Sequence, residues 1–459
     1  MPHASETPAT VPGAIAETVR ALMPQLQAEL AELVAVPSIS APGYPEPHQP
    51  LLDTYERVVK LLRDAGVQQL GSLELPGTAP VITGELPGPD GAPTVLLYGH
   101  YDVVPAGDEE KWESPPFEAT ERDGAIYGRG AADSKSNILV HVGALRAWAG
   151  KPPVGIKILI EGQEEVGSPL ETPSELGRFS ADAMLVADGG NIRPGVPSLT
   201  VGLRGDAVVT VEVRTLGSAK HSGQFGGAAP DALIALLHGL ASLHDEQGDV
   251  AVEGLRREQW QGASWTDDEF RQLAEMEPEL PFLGSGPLAD RVWSGAAITV
   301  TGIDVPSVDG AVNAVSPYAR AKLNVRVSPE QDAAEAQAAV IRHLEAVRPF
   351  GIPLQAHAGE TGNGFAAATD GPAYQAAFAA FAAAWGSEPQ LIATGGSIPL
   401  VRALSEAAPE AEILLYGTTD GFANIHGPNE RVLVDEFEKA VLAEALFFQE
   451  YANRAGGAR

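Results

Sequence analysis

Cysteine is absent from all 459 residues. That excludes a disulfide framework, a thiolate zinc finger, an iron–sulfur cluster and a thiol nucleophile. Long apolar runs are absent as well. No stretch reaches the about 18 residues of a membrane-spanning helix, and the Ala-rich Tyr374–Trp385 reads as a buried globular helix. Basic residues are scarce: 30 Lys and Arg stand against 61 Asp and Glu, a net charge of −31. So acidic a surface repels phosphate backbones and anionic lipid, so neither nucleic acid nor membrane is expected as a partner. The opening MPHASETPATVPG has neither the basic start nor the apolar core of a secretory signal, and the cytoplasm is the expected compartment. No G-x-S-x-G occurs, which removes the serine-hydrolase elbow.

What is present is enough apolar residue, 44%, for a sizeable core, with 50 Gly and 37 Pro spread as turn punctuation. Residues 1–13 read as a disordered tail. Helices are expected at Ile15–Leu33, despite Pro24, and at Leu51–Ala65, which stops at Gly66. Four short apolar runs follow: Thr94–Tyr98, Val154–Ile160, Ala183–Ala187 and Ile413–Tyr416. Near-continuous apolar strands separated by helices, here at Ser136–Trp148 and Ala373–Trp385, predict an α/β fold whose parallel-rich sheet is flanked by helices. From about Gly205 to Glu360 the pattern changes. Asp206–Arg214 and Ala319–Val327 alternate apolar with polar, the mark of a half-exposed antiparallel sheet. Helices at Pro230–Leu243 and Pro329–Val347 and a strand near Ile352–His357 complete an inserted α+β domain. The expected borders are 1–204 and 363–459 for the split α/β domain and 205–362 for the insertion.

Chemistry gathers where the apolar strands end. They run into Gly99-His100-Tyr101-Asp102, into Glu161-Gly-Gln-Glu164-Glu165, into Asp188-Gly-Gly and, after a loop, into Asn424-Ile425-His426. Open α/β sheets hold their sites outside the carboxyl ends of strands. Imidazoles and acids therefore converge on one rim, the donor set of a hard or borderline cation. His100 and Asp102 stand two apart, so on extended chain they face one way and the carboxylate can support the imidazole. Adjacent Glu164 and Glu165 point differently, so one can ligate metal while the other takes a proton from water. Asp133, after Tyr127-Gly-Arg-Gly-Ala-Ala, suits a helix cap or a carboxylate bridging two cations. The same glycines lack the third position of a nucleotide fingerprint. His221 sits in a glycine-rich loop, and Arg326, in an alternating strand, suits either a salt bridge or the grip on a substrate carboxylate.

GHYDVVP, WESPPFEATERDGAIYGRGAADSKS, EGQEEVGSP, HSGQFGG, GGSIP and NIHGPNE, in order over about residues 90–430, resemble the co-catalytic metallopeptidase family. Its members include carnosinase, cytosolic non-specific dipeptidase, glutamate carboxypeptidase and succinyl-diaminopimelate desuccinylase, and the last segments lean toward the dipeptidase branch. The resemblance implies a zinc-exopeptidase-like catalytic domain with an inserted lid and dimerisation domain. It implies two divalent ions per subunit, zinc first, with manganese and cobalt suiting the same donors. His100 and Asp188 would hold one ion, Glu165 and His426 the other, and Asp133 would bridge them, with a cis peptide to Ser134. Asp102 would orient His100, and Glu164 would be the general base. His221 would reach the opposite subunit of a homodimer and stabilise the oxyanion, while Arg326, Asn313 and Ser397 would contact a small peptide. An amidohydrolase acting on N-acyl amino acids is the alternative. Two positions depart from the family: Asp133-Ser-Lys-Ser stands for its usual Asp-Asp/Asn-Lys-Gly, and Ala393 stands where it often has arginine before Gly-Gly-Ser.

Overall fold

The computed structural model describes residues 11–43, 47–170, 176–396 and 398–456. Helix α1 (Val11–Val34) carries Pro24 inside it and begins within the segment expected to be a disordered tail. The rest of that tail, residues 1–10, lies outside the described residues. The correction has a packing cause: Ile15, Val19, Met23, Leu26, Leu30 and Leu33 recur at helical spacing and are all buried, so the helix is fixed along its length. Burying each such side chain stabilises by about 1.5–3 kcal/mol. Helix α2 (Gln49–Asp64) follows and ends at Ala65 and Gly66.

Strands β1 (Gln69–Leu73), β2 (Val81–Leu86) and β3 (Thr94–His100) come next, then helix α3 (Ser136–Ala147) and strands β4 (Gly155–Glu161), β5 (Ala183–Ala187) and β6 (Ser198–Leu203). The chain then builds β7 (Gly205–Arg214), α4 (Ala232–Ala241), β8 (Ala297–Asp304), β9 (Tyr318–Val327), α5 (Ala333–Val347) and β10 (Gln355–Gly362). It returns through α6 (Pro372–Trp385), β11 (Glu412–Tyr416) and α7 (Val434–Gly456).

Two units result. One comprises residues 1–201, 367–392 and 399–459, and the other residues 202–366 and 393–398. In the first, the strand order is β1-β2-β4-β3-β5-β11-β6, with β4, β3, β5 and β11 parallel. All of β5 is buried and β3 nearly so, as their unbroken apolar runs require. In the second, β8-β9-β7-β10 form an antiparallel sheet. There β7 alternates buried and half-buried residue by residue, with α4 and α5 packed on it. Each unit has its own core, Val95, Leu97, Ile158 and Leu414 in the first, Val209, Leu236, Leu323 and Val340 in the second.

Candidate metal centre

The parallel strands deliver their carboxyl ends to one level. His100 is in register with Glu161, Tyr98 with Val186, and Tyr416 with Ala187. His100 therefore closes β3, while β4 turns through Gly162 into a short helical turn at Glu164–Val166. A Cβ on Gly162 would lie 2.3 Å from the Tyr101 ring, so only glycine lets this turn pass. Asp188 follows β5 and donates its backbone N–H to the Tyr416 carbonyl at 3.0 Å.

On that rim the side chains meet. His100 Nε2 lies 3.1 Å from Asp133 Oδ1 and 3.4 Å from Asp188 Oδ1. His426 Nε2 lies 3.2 Å from Asp133 Oδ2 and 3.1 Å from Glu165 Oε2. Asp133 thus offers one oxygen to each imidazole. Two clusters have donors close enough to share an ion: His100, Asp133 and Glu165, and His100, Glu164 and Asp188. The peptide Asp133–Ser134 is cis.

Buried acids hold this array from behind. Asp102 Oδ1 is 3.3 Å from His100 Nδ1, which leaves Nε2 turned to the cluster. The same carboxylate accepts the backbone N–H of Glu164 at 3.2 Å and of Glu165 at 3.1 Å. Asp102 therefore positions a histidine and both glutamates together. Glu430, fully buried, accepts the N–H of Gly130, Ala132 and Asp133 at 3.1, 2.9 and 3.0 Å, and Arg129 Nη1 at 2.6 Å. Sequence reasoning missed Glu430 and Arg129. Their one signal was a Glu closing NIHGPNE and an Arg inside a run of small residues, charges with no apolar reason to be there. His426 rides on a loop in which Asn424, His426 and Asn429 all take positive φ, a strained path. A bidentate Arg431–Asp420 pair, at 2.9 and 3.1 Å, ties the loop's ends.

The electrostatics fit a cation. Burial, then Asp188, pushes Glu164 up to about 9. Burial also raises Glu165 and Asp188. Burial pulls the His100 imidazole down, but Asp102, Asp133 and Asp188 outweigh it and hold it well above its ordinary value. Asp133 and Glu165 push His426 up to about 10. This is crowded negative charge short of positive charge. Glu165 Oε1, moreover, is buried with no hydrogen-bond partner. An orphaned carboxylate oxygen amid imidazole and carboxylate donors is what a divalent ion satisfies.

His221, Asn313 and Arg326 belong to the second unit. His221 and Asn313 come together at a two-stranded ribbon, where His221 pairs with Ala314 and the Asn313 carbonyl accepts the Ser222 N–H at 2.9 Å. His221 Nδ1 accepts the Gly223 N–H at 3.1 Å, which assigns its proton to Nε2 and leaves an exposed donor. Arg326 Nη1 lies 3.3 Å from Asp206 Oδ1, its partner in register across β9 and β7. Ser397 lies outside the described residues.

Residues 96–450 match the model of the peptidase family M20/M25/M40, and the chain belongs to that family. It is 40% identical over 374 residues to the cysteinylglycine-S-conjugate dipeptidase of Corynebacterium striatum, covering 79% of this chain and 82% of that one. It is 28% identical over 460 residues to the Beta-Ala-His dipeptidase of Rattus norvegicus, covering 93% of each. Human carnosine dipeptidase 1 superposes with a TM-score of 0.78 at 26% identity, over 97% of this chain and all of that one. The sequence resemblance thus named the right family, and with it a metal-dependent peptidase and its fold.

Proposed function

We propose that the protein is a cytoplasmic metallodipeptidase that holds two divalent ions, zinc first, and hydrolyses dipeptides with a free carboxyl end. The observation that carries this is the convergence of His100, Asp133, Glu165, Asp188 and His426 on one rim with Glu164 beside them. In this reading His100 and Asp188 hold one ion, Glu165 and His426 the other, and Asp133 serves both. When bound, the ions supply Lewis acidity, which brings a water toward deprotonation near neutral pH and polarises a scissile carbonyl. Glu164 takes the water's proton and returns it to the leaving amine nitrogen, so one carboxyl acts first as base and then as acid. His221 donates through Nε2 to the oxygen that becomes negative, the charge whose stabilisation dominates acyl transfer. Arg326, with Asn313 and Ser397, contacts the substrate.

Ala393, where the family often has arginine, keeps a second reading open: release of an acyl group from N-acyl amino acids. Purified protein assayed on Cys-Gly, β-Ala-His and N-acetyl amino acids, with zinc, manganese or cobalt and with chelator, separates them. Metal-dependent amine release from the dipeptides is expected. Turnover of the acyl substrates alone would replace the first reading with the second.

The reading includes a homodimer in which His221 serves the partner's site. Ile234, Leu237 and Phe350 stand exposed on the second unit, apolar surface suited to a second copy. Mixing His221→Ala with Glu164→Gln protein is then expected to restore about a quarter of the wild-type rate. Half of randomly assembled dimers are mixed, and each carries one intact pair. Two inactive proteins that stay inactive when mixed, under conditions where subunits exchange, would remove His221 from the partner's site.

A further inference from the structure

Three buried polar side chains behind the metal centre, all inside the first unit, have no part in the chemistry described so far. They are Ser136 and Asn137 at the start of α3, and Thr418 just past β11. Asn137 Oδ1 accepts the Thr418 backbone N–H at 2.9 Å and the Thr418 hydroxyl at 3.0 Å. Ser136 Oγ lies 2.6 Å from Thr418 Oγ1. An amide oxygen only accepts and a threonine hydroxyl has one proton, so Thr418 donates to Asn137 and Ser136 donates to Thr418. Asn137 Nδ2 reaches back to the Ala132 carbonyl at 3.4 Å, one residue before Asp133. Ser136 stands where the family usually has glycine, and a chain with that glycine lacks the first link.

The far side of Thr418 is fastened to the loop that carries Asp188. Asp188 donates its N–H to the Tyr416 carbonyl at 3.0 Å, Thr419 Oγ1 donates to the Gly189 carbonyl at 2.8 Å, and the Asn191 N–H donates to the Thr419 carbonyl at 2.9 Å. Gly417 sits between the two attachments. A Cβ there would fall 2.2 Å from the Gly189 carbonyl oxygen and 2.9 Å from Asn137 Oδ1, so only glycine lets one strand end press on both. Residues 416–419 thus connect the helix start beside Asp133 to the turn beside Asp188. Those are the two carboxylates that His100 Nε2 meets, at 3.1 and 3.4 Å. The backbone of Asp133 is held separately, by Glu430. Cutting the link at Thr418 therefore loosens the Asp188 side and leaves Asp133 in front of His426.

We propose that Ser136, Asn137 and Thr418 are positioning residues that hold Asp188 at the spacing from Asp133 that His100 needs. They set the affinity of the ion between His100 and Asp188, and not that of the ion between Glu165 and His426. The proposal rests on the two-ion reading and deepens it, by assigning one ion its own support. Its physical basis is that a satisfied buried network is rigid, while removing one member leaves partners unpaired where water does not reach them.

The test titrates zinc into metal-free protein against a competing chelator, which resolves two binding steps. Wild type is expected to take up two ions. Thr418→Val keeps the shape and the backbone N–H but removes the hydroxyl, and it should weaken one step by about 10-fold and leave the other unchanged. Thr418→Ser returns the hydroxyl and should restore the step. Ser136→Ala removes only the first link, which keeps the proposal testable if Thr418→Val does not fold; combined with Thr418→Val it should add nothing. Single-ion backgrounds identify the step. In His426→Ala protein, which keeps the ion between His100 and Asp188, adding Thr418→Val should cost the same factor, and in Asp188→Ala protein it should cost nothing. Equal weakening of both steps, or of neither, would overturn the proposal and leave the two-ion reading standing. Fewer than two ions in wild type would sink that reading, and the proposal with it.

Discussion

Glu164→Gln protein is expected to retain its metal and to lose about 10²–10⁴-fold in kcat, the range for removal of a general base. Glutamine keeps the volume and one acceptor oxygen but cannot take a proton. The turn that carries it does not depend on the lost charge, because it is pinned through backbone N–H groups of Glu164 and Glu165 that donate to Asp102. Glu165, the neighbour whose oxygen lies 3.1 Å from His426, is untouched and can still ligate. The charge balance even favours retention. Burial, Asp188 and Glu165 already push Glu164 toward its protonated form, so removing its charge relieves a crowd of acids. Metal content by elemental analysis and kcat on Cys-Gly are the measurements. Metal retained with rate unchanged would move the base to another group, and metal lost would make Glu164 a ligand.

Most of this centre was legible because strand ends are legible. Thr94–Tyr98, Ala183–Ala187 and Ile413–Tyr416 are apolar enough to be buried strands, and in a parallel sheet whatever follows them shares a rim. The alternation in Asp206–Arg214 and Ala319–Val327 likewise marked the antiparallel sheet, now seen with β7 and β9 paired in register from Gly205–Val327 to Arg214–Tyr318. What stayed hidden is what period and spacing do not encode. Arg129 and Glu430 are far apart in sequence and meet only once the chain has closed on itself. The start of α1 was misjudged because Pro12 and Gly13, poor helix formers, stand there, while the burial that stabilises the helix lies further along it.

Glu430 is where the hidden part can be measured, and Glu430→Ala is expected to be the most destabilising single change at the centre. The carboxylate has no solvent contact and satisfies four donors at once: Arg129 Nη1 and the N–H groups of Gly130, Ala132 and Asp133. Removing it leaves Arg129, 1% exposed, as an uncompensated buried cation, a loss of about 3–5 kcal/mol for a broken buried pair. It also leaves three N–H groups without acceptors in a turn that has little slack. Gly130 there has a φ of +81°, and a Cβ on it would sit 2.6 Å from Val103. The expected result is a fall in Tm of roughly 10 °C. Because the freed turn carries Asp133, which faces both imidazoles, weaker metal binding should accompany it. Glu430→Gln separates the two effects. It keeps one acceptor oxygen and the volume, so it should recover part of the metal affinity while Arg129 remains without its counter-charge. Calorimetric Tm and metal titration on both variants are the measurements. A Glu430→Ala protein as stable and as tightly metallated as wild type would mean that the turn holds Asp133 unaided, and that the buried pair is dispensable.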